Sequence, residues 1–184
     1  MRNREYHTFI CCLSNKIGTV EYKNLLREIT KEFGEIIKIL PNCNWTAPIE
    51  YVNEMGENLE SEIWFIDKHE LSQIISIKHW MMFFEYQYSK NSNRQFNLNP
   101  GYVSEQGMFL LTHKDNRERG RENIDSGIWQ EKQYQFSEQT FKPIINTFSE
   151  YLSPVRLSLF NDLLLSEKPI LSNRKIWYLS DSSI

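Results

Sequence analysis

Six polar side chains in the second half of the sequence are of types that bind small ligands or transfer protons. They are two amides, a phenol, an imidazole, an ammonium and a carboxylate: Asn97, Asn99, Tyr102, His113, Lys114 and Glu131. If the run 107–113 pairs as a strand with 127–136, His113 and Lys114 end one strand and Glu131 lies on its neighbour. Glu131 would then serve as an acid or base if it is buried. The sequence therefore predicts a ligand pocket here, with an outward-facing polar row on an ordinary strand as the alternative.

The string NLNPGY, residues 97–102, raises the question of whether it is reactive, holds a ligand or only turns the chain. An amide does not act as a general base at neutral pH, whereas asparagine readily caps its own backbone. Proline followed by glycine readily forms a type II turn. We therefore expect a structural turn, with Tyr102 packed against the protein.

A further feature is the segment HWMMFFEYQY, residues 79–88, which is rich in aromatic and sulfur-containing side chains. In a helix these residues are apolar on more than one face, whereas a surface helix needs only one apolar stripe. The excess must be covered either by the C-terminal part of the same chain or by a protein partner or second copy. The residues predicted for such an interface are Trp80, Met81, Phe84 and Tyr88.

The sequence lacks the motifs of several common kinds of catalytic and binding site. The sequence contains no Gly-x-x-x-x-Gly-Lys-Ser/Thr, Cys-x-x-Cys, His-Glu-x-x-His or Gly-x-Ser-x-Gly, and no Gly-x-Gly-x-x-Gly after a strand. The four histidines are scattered without metal-ligand spacing, so we predict no metal site and no cofactor. A net charge of -3 provides no basic face for duplex nucleic acid. Binding of single strands would need basic residues among the aromatic ones, and these are missing.

The elements that must position these residues follow from local patterns. Thr19 is placed as the N-cap and Gly34 as the C-terminal stop of a helix whose apolar residues recur at helical spacing. Asp67 with Glu70 predicts a capping box for a second helix, which runs to about Tyr88. The remaining predictions are strands at 6–13, 36–40, 60–66, 95–98, 107–113 and 127–136, an irregular segment at 42–58, a helix from Ser153-Pro154, and an edge strand at 174–179.

This order predicts an α+β fold with the ferredoxin-like βαββαβ order and a C-terminal antiparallel strand and helix extension. A length of 184 residues fits a single globular domain over 1–184, with 1–5 and 180–184 as flexible tails. The first apolar run is too short for a signal peptide and no later run is long enough to span a membrane, so we expect a cytoplasmic protein. Three cysteines, an odd number, predict reduced thiols.

Four short motifs occur in a fixed order along the chain. They are Tyr51 with Glu54-Met55-Gly56, then NLNPGY, then Thr112 with Lys114-Asp115, and finally Gly127-Ile128-Trp129-Gln130-Glu131. Over about Phe9 to Leu165 the chain thereby resembles the bacterial family called domain of unknown function 4416, as a divergent member. Asn99 stands where the family has Asp, so a reaction that needs this carboxylate would be lost here. Residues 117–124 and 145–151 also depart from the family's pattern.

The resemblance implies no established activity. Some members carry a GTP-binding label, for which this chain has no phosphate-binding loop. From the residues we expect a non-enzymatic protein-binding or regulatory module that contacts a protein partner or forms a homo-oligomer. The alternative is a small-molecule or nucleotide-binding protein or enzyme, with GTP among the nucleotides, that holds a small polar ligand near Glu131, Lys114 and His113.

Overall fold

The structure, a computed structural model, describes residues 5–41, 46–115 and 120–165. Within these residues eight strands form one sheet in which all neighbours are antiparallel. The strands are β1 (Glu5–Ser14), β2 (Lys38–Pro41), β3 (Glu60–Glu70), β4 (Phe96–Ser104), β5 (Gly107–Thr112), β6 (Glu122–Asp125), β7 (Ile128–Ser137) and β8 (Thr140–Pro143). Their order in the sheet is β2-β3-β1-β4-β5-β7-β6, and β8 also pairs with β7.

The helices of the described segments pack on both faces of this sheet. They are α1 (Val20–Phe33), α2 (Ile49–Met55), α3 (Leu71–Gln87) and α4 (Pro154–Leu165), with a short 3₁₀ helix at Ser149–Leu152. Apolar residues of α1 and α3 form a core with Cys12 and Trp64 on one face, while α4 and the 3₁₀ helix form another with Cys11 on the opposite face. Adjacent cysteines enter different cores because successive strand residues point to opposite faces. Both thiols are buried and free.

The predicted α+β class is correct, but the predicted ferredoxin-like βαββαβ order with a C-terminal extension is wrong. The strands of the C-terminal half do not form an extension, because they continue the same sheet outward from β4. β4 pairs with β1 on one side and with β5 on the other, so it lies inside the sheet. The segment between β2 and β3 also contains α2, where the sequence predicted irregular chain.

Local signals located the helix ends with mixed success. Thr19 accepts a hydrogen bond from the Tyr22 N–H, and Gly34 ends α1 with a φ of 90°, as predicted. α4 begins at Pro154, also as predicted. The prediction of a capping box at Asp67 is wrong, because β3 continues to Glu70. The capping box of α3 instead joins Glu70 to Gln73. The predicted edge strand at 174–179 lies outside the described residues. No helix of the described segments is long and apolar enough to cross a membrane.

NLNPGY is strand, not the turn that its proline and glycine predicted, because all six residues lie within β4. Gly101 faces Phe9 across the pairing with β1, and a Cβ at this position would lie 2.4 Å from the Phe9 ring and 2.4 Å from the Phe109 carbonyl oxygen. Glycine is therefore needed for close packing and not for a turn. Pro100 lies just beyond the stretch that pairs with β5, where the strand needs no N–H donor on that side.

Candidate functional site

A cavity of about 140 Å³ lies where β4 and β5 separate. The two strands pair along Gly101 to Ser104 of β4, whereas β4 pairs with β1 as far as Phe96. The cavity opens beside residues 96–100 of β4, which pair with β1 but not with β5, on the sheet face that also carries α4. Its walls come from β1, β4, β5, β7, the start of α2 and the 3₁₀ helix. Its position thus follows from the point at which one strand pairing stops.

Two buried side chains of α3 replace the absent strand neighbour of β4 at this point. Lys78 Nζ donates to the Leu98 carbonyl at 3.0 Å, and the Leu98 N–H donates to Glu85 Oε1 at 2.5 Å. Lys78 is 0% exposed, and its burial lowers the pKa of the ammonium to about 8, against the opposing effect of the Glu85 carboxylate. Both backbone groups of Leu98 are therefore satisfied although none of the described strands pairs with them on this side.

The two asparagines of β4 belong to a chain of hydrogen bonds along the cavity wall. Asn99 Oδ1 accepts from Lys78 Nζ at 3.0 Å, and Asn99 Nδ2 donates to Asn97 Oδ1 at 3.4 Å. The same Asn97 oxygen accepts from Arg94 Nη1 at 3.0 Å. Arg94 makes a two-point ion pair with Glu54 of α2, with N–O distances of 2.5 and 2.8 Å. The amides are thus held in place by charged neighbours.

The opposite wall is formed by an ion pair between the loop before β6 and β7. Arg121 Nε donates to Glu131 Oε2 at 2.7 Å, and Arg121 Nη1 donates to the Lys114 carbonyl at 2.8 Å. The Glu131 residue is 1% exposed. Lys114 is exposed at the mouth of the cavity, where its Nζ lies 5.7 Å from the centre of the Tyr51 ring. This wall therefore contains a buried ion pair, Arg121 with Glu131, and the Lys114 ammonium beside the Tyr51 ring.

The deep end of the cavity contains a thiol, a phenol and a further ion pair. Cys11 Sγ and Tyr151 Oη are 2.6 Å apart. Burial raises the pKa of the Cys11 thiol to about 12, so the thiolate needed for nucleophilic attack is scarce near neutral pH. Arg156 Nη1 donates to Glu150 Oε1 at 2.7 Å, and Ser61 also donates to that carboxylate.

The structure brings five of the six predicted ligand residues to this cavity: Asn97, Asn99, His113, Lys114 and Glu131. Tyr102 lies on the other face of the sheet, where its ring stacks on Phe109 with centroids 5.0 Å apart. Its hydroxyl donates to Gln130 Oε1 at 2.7 Å. Tyr102 is on the opposite face because the strand alternates, and 102 differs in parity from 97 and 99. A ligand role for the other five stays a prediction.

Other residues at the site gave weaker signals in the sequence. Lys78 interrupts the apolar stripe that contains Ile77 and Met81, and a cation in such a stripe indicates a buried charge with partners. Arg121 is one of several charges in a mixed run, which by itself indicates a solvated loop. Only the tertiary structure distinguishes Arg121 from its neighbours.

The predicted interface on α3 divides into buried and exposed residues. Met81 is 0% and Phe84 2% exposed, so the protein's own core takes up both. The cover is α1 and the sheet, including strands β4, β5 and β7 of the C-terminal half, so the chain itself supplies much of the predicted cover. Tyr88 is partly buried and donates to Glu28 Oε1 at 3.1 Å. Trp80 is 41% exposed, and it forms with Phe83 and Tyr86, which are 50% and 79% exposed, an aromatic patch on the helix surface.

Comparison with known families supports the resemblance found in the motifs. The family described as domain of unknown function 4416 matches residues 5–164, and the chain belongs to this family. Comparisons with curated proteins and with solved structures gave no match. The family match covers every strand of the described segments and nearly all of α4, so it includes the described walls of the cavity.

Proposed function

We propose that this protein binds a small polar metabolite in the cavity between β4 and β5. The observation that carries the proposal is the convergence of amide, ammonium and carboxylate side chains from β4, β5 and β7 on one cavity of about 140 Å³. An apolar cavity of about 150 Å³ accommodates benzene. The expected ligand therefore has about six to ten non-hydrogen atoms.

The polar groups of the cavity are held before any ligand arrives, which favours a binding site over an accidental gap. Arg121 is fixed by Glu131 and by the Lys114 carbonyl, and Asn97 is fixed by Arg94. Groups that are already oriented lose little conformational entropy when a ligand binds. Apolar side chains, among them Leu110 and Phe148, complete the lining. Such a mixture of apolar surface and a few placed polar groups is typical of ligand pockets.

Binding, and not bond-making, is the activity that these groups favour. The Cys11 thiol has a pKa of about 12, too high for an efficient nucleophile. Glu131 Oε2 is occupied by Arg121 Nε at 2.7 Å, so this oxygen is not free to accept a proton from a ligand. A role in sensing or carrying a metabolite inside the cell agrees with these properties.

A nucleotide such as GTP is a less suitable ligand. Pockets for drug-sized molecules have volumes of about 300–1,000 Å³, and a nucleoside triphosphate belongs to that size class or exceeds it. The cavity is smaller, at about 140 Å³, and the sequence has no phosphate-binding loop. Nucleotides therefore serve as the contrast class in the experiment.

The test is a screen by saturation-transfer NMR and thermal shift with small metabolites on one side and ATP, GTP and their cyclic relatives on the other. Thr112→Phe narrows the cavity at the end of β5, while Thr30→Phe makes the same change on the exposed surface of α1. We expect small metabolites to bind to the protein and to Thr30→Phe, and to bind at least about tenfold more weakly to Thr112→Phe. If no small molecule binds, or if Thr112→Phe binds as well as Thr30→Phe, the cavity is not the site.

A second candidate function is contact with another protein through the aromatic patch on α3. Exposed Trp, Phe and Tyr side chains in one group are enriched at interfaces. Trp80 and Phe83 lie with ring centroids 5.7 Å apart, and Tyr86 is 79% exposed. Sedimentation over a range of concentrations tests self-association, the simplest form. A monomer at every concentration, unchanged in Trp80→Ala, would remove a homo-oligomer from consideration.

A further inference from the structure

We propose that the ligand of this cavity is a small organic monoanion, a carboxylic acid whose carboxylate lies against Lys114 at the cavity mouth. This inference rests on the proposed function, because it assigns the chemical class of the ligand to the same cavity. It is carried by the distribution of charge around the cavity and by the mixed nature of the lining.

The charged side chains at the cavity are almost, but not completely, paired. Five described cations line the cavity or bond to its lining: Lys78, Arg94, Lys114, Arg121 and Arg156. Four described carboxylates line the cavity or pair with these cations: Glu54, Glu85, Glu131 and Glu150. Three arginines have a carboxylate partner within 2.7 Å. Within the described part of the chain one positive charge is therefore left over at the cavity, in a protein whose net charge is -3.

Lys114 lines the cavity, and no carboxylate of the described residues lies within ion-pair distance of its Nζ. Its Nζ lies 5.7 Å from the centre of the Tyr51 ring, and the Glu54 carboxylate, whose pKa Lys114 helps to lower, acts on it from beyond ion-pair distance. The other lysine, Lys78, is committed to the Leu98 carbonyl and to Asn99 Oδ1. An anion on Lys114 would gain a charge-assisted hydrogen bond without breaking an existing ion pair.

His113, next to Lys114, lies within reach of several charges at the cavity mouth. Its pKa is lowered first by burial and then by the positive charges of Lys78, Arg94 and Lys114, while Glu85 opposes them. The charges of Lys78, Arg94 and Lys114 thus reach the position where an anion would enter, together with the carboxylates of Glu85 and Glu54.

The charge balance also selects a monoanion over a phosphate dianion. The buried carboxylates of Glu131 and Glu150 line the same cavity, so a second negative charge would face them, and the described residues offer it no further uncommitted cation. Leu110, Phe148 and Pro48 provide apolar surface for a carbon skeleton. The amide group of Asn97, at the cavity wall, provides a further hydrogen-bonding group. A short carboxylic acid combines these features.

The experiment compares acids with their own amides, which have nearly the same shape but no charge. The probes are benzoate with benzamide, hexanoate with hexanamide and lactate with lactamide, with benzylamine as a cation and inorganic phosphate as a dianion. We expect at least one acid to bind about tenfold more tightly than its amide at low salt. Lys114→Met should remove this preference and Lys114→Arg should retain it. Because Lys114 is exposed, neither variant should shift the thermal midpoint by more than a few degrees.

The outcomes separate the ligand class from the function. Amides, amines or phosphate that bind as tightly as the acids, with loss of binding in Thr112→Phe, would overturn the monoanion and leave the cavity as a ligand site. An acid preference that survives Lys114→Met would also overturn the inference. If no probe and no metabolite of the wider screen binds, the proposed function itself fails.

Discussion

The buried ammonium of Lys78 should make the stability of this protein rise with pH in the alkaline range. Its Nζ donates to the Leu98 carbonyl and to Asn99 Oδ1, and its side chain is fully buried. Burial lowers the pKa of the folded state from 10.5 to about 8. Between these two values the unfolded chain binds the proton and the folded chain releases it, so raising the pH favours the folded state.

The size of the effect follows from the two pKa values. Each pH unit of difference corresponds to about 1.4 kcal/mol, so the range from 10.5 to about 8 corresponds to roughly 3 kcal/mol. This stability is fully present above pH 10.5 and is lost as the pH falls through about 8. It is a large fraction of the total stability of an ordinary domain, about 5–15 kcal/mol.

The assay is urea unfolding of the protein and of Lys78→Met at several pH values from 7 to 10.5. Other titrating groups affect both proteins equally, so the difference between the two free energies of unfolding isolates Lys78. We expect the difference to change by roughly 3 kcal/mol in favour of the protein with lysine as the pH rises. Lys23→Met, which removes an exposed lysine of α1, is the matched control and should follow the unaltered protein. Parallel curves for the protein and Lys78→Met would refute the burial of a charged amine beside β4.

Three further outcomes are expected. Gly101→Ala should lower the free energy of unfolding by about 3 kcal/mol in urea titrations, because the new Cβ would clash with an aromatic ring and a backbone oxygen. An unchanged urea midpoint would contradict the packing of β4. Arg156→Met should lower the free energy of unfolding by about 3–5 kcal/mol, because the Glu150 carboxylate loses its guanidinium partner. Adding Glu150→Gln to Arg156→Met should recover part of that loss in a double-mutant cycle. In a Cys43→Ser variant, the two buried thiols should react with a disulfide reagent at pH 8 only after unfolding, since burial raises the pKa of both, and fast labelling of the native protein would show them to be accessible.

Local signals in the sequence were correct at three helix ends, although the capping box predicted at Asp67 was wrong. Thr19, Gly34 and Pro154 act through backbone atoms one turn away, so their effect does not depend on the rest of the fold. The same logic failed for Pro100 and Gly101. Proline and glycine next to each other favour a turn, but strand pairing with β1 on one side and the approach of Phe9 decided the conformation.

The sequence by itself determined the residue types of the candidate site, the α+β class and the family motifs. It did not determine that β4 lies inside a sheet of eight described strands, nor that Arg121 and Lys78 approach the cavity from opposite sides. Strand order and register are set by contacts between residues far apart in the chain, and no local sequence pattern specifies which strands pair with each other. The helix ends at Thr19, Gly34 and Pro154 were therefore predictable from sequence, whereas the cavity exists because the pairing of β4 with β5 stops at Gly101.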